Sequence, residues 1–219
     1  MTGAQDLTLD ELRLALAPRI AAVAAFDGWS SAAITQAAGA LGVDADVAAY
    51  AFKGGPMDMI AAWIDHVDAR MEAGFAGGKE GDLPVRERIR RLVAFRLDCA
   101  KGLEESLRRA LAIMAMPHNA PRSLKLGWRS ADRMWRLAGD TATDFNHYSK
   151  RAILAGVYGA TLAVFIDDES EDKAETMAFL ERRIDGIVRF EKAKARLARP
   201  ADRHFSIARF LGRLRYPAK

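Results

Sequence analysis

The sequence predicts an all-α protein, and two observations carry that prediction. Apolar residues recur at helical spacing along most of the chain, while valine and isoleucine alternate with polar residues over no long run. Glycines, prolines and Ser/Asp residues punctuate the sequence where helices would start and stop.

Taken in order, Ser30 and Ser31 can cap a helix that runs through Leu41 and stops at Gly42. Asp44 or Asp46 can cap a short helix ending near Gly54-Gly55. Pro56 suits the first turn of a longer helix reaching about Phe75. Residues 77–81 are the clearest loop, and Pro84 opens the next helix. Pro117 and Pro121 bracket a further break, Gly139-Asp140 marks another, and Asp167 to Ser170 separate the last two large helices. About ten helices result, with three short ones preceding a larger bundle. The regions are an acidic 1–75, a central bundle 76–199 and a basic tail 200–219. No internal repeat is visible.

At 219 residues, half of them apolar and 28% charged, the chain has ample material for a core. The single cysteine, Cys99, cannot form an internal disulfide and suits a buried position in a reducing compartment. Met1 to Glu11 is acidic and has no apolar centre, unlike a secretory signal or an Arg-rich transit peptide. The longest mainly apolar run, Ala152 to Ile166, has 15 residues. That is about 22 Å of helix, short of the roughly 20 residues a bilayer span requires.

Net charge is +4, but it is unevenly spread. Residues 1–75 carry a net −6 and residues 182–219 a net +9, which points to an anionic partner at the C-terminal end.

Gly42-Val43 sits between two short helices, and Tyr50, Phe52 and Lys53 close the second. This resembles the helix-turn-helix of the TetR transcriptional regulators, so a ligand-responsive repressor is the alternative reading. Electrostatics weigh against DNA. The candidate recognition helix, Asp44 to Phe52, has two acids, no base and none of the usual readers of base edges. A scaffold kept for packing, with no nucleic-acid partner, is the expectation.

In the tail, Ile207, Phe210, Leu211 and Leu214 fall at i, i+3, i+4 and i+7 and make one apolar stripe. Arg209 and Arg213 lie on the opposite side. That combination suits an interfacial helix at an anionic membrane surface. Packing on its own bundle or on a partner subunit is the other way to use the stripe.

Centrally, Ala152 to Ile166 mixes large residues with Ala155, Gly156, Gly159 and Ala160. Two glycines within one helix suggest either close helix packing or room for a ligand. The candidate apolar pocket comprises Met114, Trp128, Trp135, Tyr158, Leu162 and Phe165; core packing would use the same residues. Catalysis finds no support. His66, His118, His147 and His204 are far apart, no metal-ligand spacing or phosphate loop is present, and the acidic run from Asp167 to Asp172 suits a solvated loop. The expectation is a protein without catalytic residues, metal or cofactor.

The stretch from Ala138 to Arg151 is rich in contact-making side chains, among them Asp140, Asp144, Asn146, His147, Tyr148, Lys150 and Arg151. It continues into Leu154 to Tyr158 and Asp167. With Phe26 to Ser30, Pro117 to Pro121 and Thr176 to Ile184, this pattern resembles the accessory lipid-binding family of ubiquinone (coenzyme Q) biosynthesis over about residues 8–216. The resemblance implies a TetR-like fold that has lost DNA binding, is often dimeric and holds isoprenoid lipids in an apolar pocket. It implies a C-terminal amphipathic helix that enters the membrane surface. It also implies presentation of a ubiquinone precursor to the di-iron demethoxyubiquinone hydroxylase. The hydroxylase-contact patch maps onto Met134, Trp135, Asp144, Tyr148 and Arg151, and the neighbouring Asn146 and His147 complete the candidate surface. His147 stands where relatives typically carry tryptophan, which removes apolar contact area. The expectation is a non-enzymatic homodimeric carrier, cytoplasmic and peripheral to a bacterial inner membrane.

Overall fold

The computed structural model describes residues 7–77, 81–140 and 145–198. Among them are nine α-helices and no strand. The helices are α1 (Leu9–Asp27), α2 (Ser31–Leu41), α3 (Ala45–Ala51), α4 (Pro56–Phe75), α5 (Val85–Asp98), α6 (Glu104–Met114), α7 (Ala120–Leu137), α8 (Phe145–Phe165) and α9 (Ala174–Ala198). Single 3-10 turns at Pro117–Asn119 and Glu171–Lys173 lead into α7 and α9.

Local chemistry sets most of these boundaries. Thr8 and Glu11 form a capping box at the start of α1. The Ser30 hydroxyl accepts from the Ala33 N–H, and Gly42 ends α2 with φ 66°, a conformation that costs glycine little. Between the two candidates for the α3 cap, Asp44 serves: its carboxylate accepts from the N–H groups of Asp46 and Val47. Pro56 opens α4 as expected.

The first helix is not short. α1 spans 19 residues and continues through Pro18. Proline deletes one helical N–H and leaves the Leu14 carbonyl without its usual donor. Burial, then the nearby Arg70, pull the pKa of His66 in α4 below its ordinary value, and the Leu14 backbone offsets part of this.

The N-terminal helices and the bundle share one core, which runs from Leu12 to Ile184. Trp29 stacks at 5.5 Å on Trp63, and its indole N–H donates to the Ser106 carbonyl at 3.0 Å. The Ser106 hydroxyl in turn donates to the Ala21 carbonyl at 2.7 Å. These bonds join α1, the α1–α2 corner and α6 through groups that would be costly to bury unpaired. Cys99 is half-buried against this core rather than inside it.

In the acidic run between α8 and α9, Asp167, Glu169, Glu171 and Asp172 are exposed as expected of a solvated loop, and Asp168 is the exception. Asp168 is buried and accepts from the backbone N–H groups of Ser170 (2.9 Å) and Thr176 (2.7 Å) and from both their hydroxyls. Burial raises its pKa, but the four hydrogen bonds outweigh that and hold the carboxyl well below the usual carboxylate range. The same corner keeps Asp172 and Lys173 at φ 52° and 59°, values that need such tertiary support.

Candidate functional site

Helices α4 to α8 enclose a cavity of about 510 Å³, within the ~300–1,000 Å³ range of small-ligand sites. Its walls are almost entirely apolar. Met114, Trp128, Tyr158 and Leu162 all line it. Trp135 and Phe165 do not. Phe165 is fully buried in the core with the Lys173 ammonium over its ring. Trp135 is half-buried, donates its indole N–H to the Lys150 carbonyl at 3.0 Å and carries the Lys150 ammonium over its ring. Helical spacing put the six residues on plausible faces; only packing revealed which faces meet.

Glycines make the space. A methyl group added at Gly127 of α7, or at Gly156 or Gly159 of α8, would meet nothing within 4 Å, and all three residues line the cavity. Of the two explanations open from sequence, close packing and room, the described residues support room. Among the described residues no neighbouring helix presses on these glycines.

One charged group reaches the cavity wall. Arg96 of α5 lines it while only 3% exposed. Its guanidinium pairs with Asp68, which is fully buried, and donates to the Ser130 hydroxyl at 3.2 Å. The Tyr158 ring lies 4.9 Å from the guanidinium. Burial works against the Arg96 charge, and Tyr158 and Asp68 more than offset it, so its pKa is raised. No motif identified this pair, because the partners lie 28 positions apart. A signal did exist. Arg96 occupies the core-facing side of α5 with Leu92, Val93 and Leu97, where an arginine is unusual unless paired.

The candidate partner patch divides by burial. Tyr148 is 61% exposed, and its ring lies 6.1 Å from that of Trp128 and 5.1 Å from that of His147. His147 is half-buried. Met134 and Arg151 are corrected: both side chains are buried, so neither offers a surface contact. Met134 packs in the core. Arg151 donates to Asp132 (2.5 Å), to Asp140 (3.1 Å) and to the His147 carbonyl (3.1 Å). Lys150 joins at Asp140 (2.8 Å) and Arg136 at Asp132 (2.9 Å). This network clamps the start of α8 onto α7. Asp144 and the side chain of Asn146 lie outside the described residues, as do Ile207, Arg209, Phe210, Leu211, Arg213 and Leu214 of the tail.

The exposed side of α3 presents Asp46, Val47, Ala49 and Tyr50, with Lys53 just beyond its end. Two of these are large apolar side chains and one is an acid, a poor match for a phosphate backbone. No described helix is long and apolar enough to cross a membrane. Among the described residues no cluster of three or more His, Cys, Asp or Glu is arranged for a metal ion.

Fold and cavity together define a TetR-like all-α protein with an apolar chamber in its bundle. The solved structure of a TetR transcriptional regulator from Nitrosomonas europaea superposes with a TM-score of 0.63, at 23% identity, over 80% of this chain and 96% of that one. Residues 120–191 match the COQ9 family. It is similar to "Ubiquinone biosynthesis protein COQ9, mitochondrial" of Bos taurus, 34% identical over 172 residues, 72% of this chain and 51% of that protein. The Homo sapiens protein of the same name is 33% identical over 173 residues, 72% of this chain and 52% of its own length. The chain spans about half the length of these curated relatives.

Proposed function

We propose that this protein is a non-catalytic accessory factor of ubiquinone biosynthesis. It takes an isoprenoid quinone precursor from a membrane surface into the cavity of α4 to α8 and presents it to a hydroxylase. The carrying observation is the 510 Å³ apolar chamber kept open by three glycines. Helix-interior glycine costs about 1 kcal/mol relative to alanine. Here it relieves no clash within the described chain, and a ligand gives that cost a use. The names of the relatives supply the pathway.

Presentation is supported by continuity. Trp128 lines the chamber and sits beside the exposed Tyr148, so a partner docked on Tyr148 reaches the chamber wall directly. Tyr148 and His147 are the described residues on which that docking rests. The tail stripe of Ile207, Phe210, Leu211 and Leu214, opposite Arg209 and Arg213, supplies reversible attachment to the inner membrane of a bacterium. The functional unit is a homodimer.

Native mass spectrometry of protein purified without detergent, with organic extraction of whatever is bound, tests the carrier reading. A co-purified prenylated quinone or precursor is expected. Protein that is empty, or loaded only with bulk phospholipid, overturns the reading and favours a TetR-like regulator. For the tail, Phe210→Asp with Leu214→Asp is expected to abolish co-flotation with anionic vesicles and leave the unfolding midpoint unchanged. Undiminished flotation removes the membrane role of the stripe.

A further inference from the structure

The chamber is not uniformly apolar, and its single ionic feature is out of keeping with a simple grease pocket. A buried ion pair stabilises a fold no better than apolar side chains of the same shape, so packing alone gives no reason for Arg96 and Asp68 in this wall. The pair is also incompletely satisfied. Arg96 donates through its two terminal nitrogens to Asp68 and Ser130, but its Nε–H has no partner and is closed off from water. Asp68 does not depend on Arg96 alone, because Arg133 also reaches it at 2.9 Å. A guanidinium carries donors and no acceptor. What is missing at this point is therefore a hydrogen-bond-accepting oxygen.

The chamber also has a direction. Leu124, on α7, is 76% exposed where it lines the chamber. Ser130, beside Arg96, lies six residues further along the same helix, about 9 Å at the standard rise. The glycine-widened wall of Gly127, Gly156 and Gly159 also lines this chamber. A buried polar pole at Arg96 and an exposed apolar side chain at Leu124 match an amphiphile that enters head first.

We infer that Arg96, backed by Asp68 and flanked by Ser130 and Tyr158, is the recognition point for the oxygenated ring of a prenylated ligand, whose tail leaves past Leu124. Because Asp68 already neutralises Arg96, the pole favours a neutral carbonyl or phenol oxygen over a full carboxylate. The Tyr158 ring, set against the guanidinium, provides an aromatic surface for such a head. This inference rests on the carrier reading and specifies its ligand class and orientation.

The test compares a short-chain prenylated benzoquinone with a prenyl hydrocarbon of the same tail and a fatty acid of similar length. Trp63 and Trp128 both line the chamber, so quinone binding is read by quenching of their fluorescence and the other probes by relief of it. The wild type should prefer the quinone to the hydrocarbon by about tenfold, the worth of one charge-assisted hydrogen bond. In Arg96→Met/Asp68→Asn, where Arg133 keeps Asp65 and Glu72 as partners, that preference should fall below about twofold with hydrocarbon affinity retained. Arg96→Lys keeps a cation for Asp68 but has no Nε–H, and should lose preference in the same direction while preserving the fold. Preference retained in either folded variant, or absent from the wild type, overturns the polar pole while leaving the carrier reading intact. Tighter binding of the fatty acid than of the quinone overturns the neutral-head assignment. If the wild type binds none of the probes, the carrier reading fails, and this inference with it.

Discussion

Replacing Arg151 with methionine is expected to destabilise the protein by about 3–5 kcal/mol, the cost of removing one partner from a buried ion pair. Its side chain is 2% exposed and bridges Asp132 and Asp140. The loss should fall towards the lower end of that range, because Arg136 still reaches Asp132 and Lys150 still reaches Asp140. For a chain of this size about 3 kcal/mol lowers the melting temperature by roughly 6–12 °C. Thermal unfolding followed by circular dichroism measures it directly. A surface-contact role for Arg151 makes the opposite prediction, a partner-binding defect with a melting temperature within about 2 °C of the wild type. That outcome would dismantle the clamp between α7 and α8 described above. The clamp also bears on function, because it sets where Tyr148 and the cavity-lining face of α8 begin.

The second large effect concerns Gly156 and Gly159, where stability and binding should move in opposite directions. Alanine at either position meets no atom within 4 Å, so each Gly→Ala should stabilise the helix by about 0.5–1 kcal/mol. Leucine at both positions should leave the fold as stable as the wild type and fill the chamber. Lipid occupancy in native mass spectra should then drop by about tenfold or more, since lost apolar contact is worth about 0.8 kcal/mol per CH₂ displaced. Unchanged occupancy in the double leucine variant would mean that the ligand sits elsewhere. A destabilised alanine variant would instead assign the glycines to close packing against a second chain.

Much of the fold was legible along the chain. Gly42, Pro56, Pro84 and Gly139 act through their own backbone restrictions, and such effects need no knowledge of what lies across the molecule. The central motif was legible in the same way, as a run of residues in sequence. Pro18 shows where local reading stops. Its restriction is real, yet α1 continues through it as far as Asp27, packed against α2, α4 and α6. Asp168 is a parallel case, since an acid in an acidic run looks solvated until Thr176 and Ser170 surround it.

The candidate site was half legible. Met114, Trp128, Tyr158 and Leu162 line one chamber, whereas Trp135 and Phe165, equally apolar and equally well spaced, face elsewhere. Met134 and Arg151 fall inside the contact-rich region, but burial removes them from its surface. Hydrophobic periodicity assigns a residue to a stripe; it does not say which neighbour that stripe meets.

By itself, then, the sequence determined the all-helical class, the places where helices break, the acidic head and basic tail, and the family resemblance. These follow from backbone propensity, charge and residue order, all of which are properties of the chain. Only the tertiary structure decided that the glycines of α7 and α8 border open space, that Arg96 meets Asp68 at the chamber wall and that Arg151 is a clamp. Each of those depends on side chains brought together from distant helices, and no one-dimensional pattern specifies the distance between them.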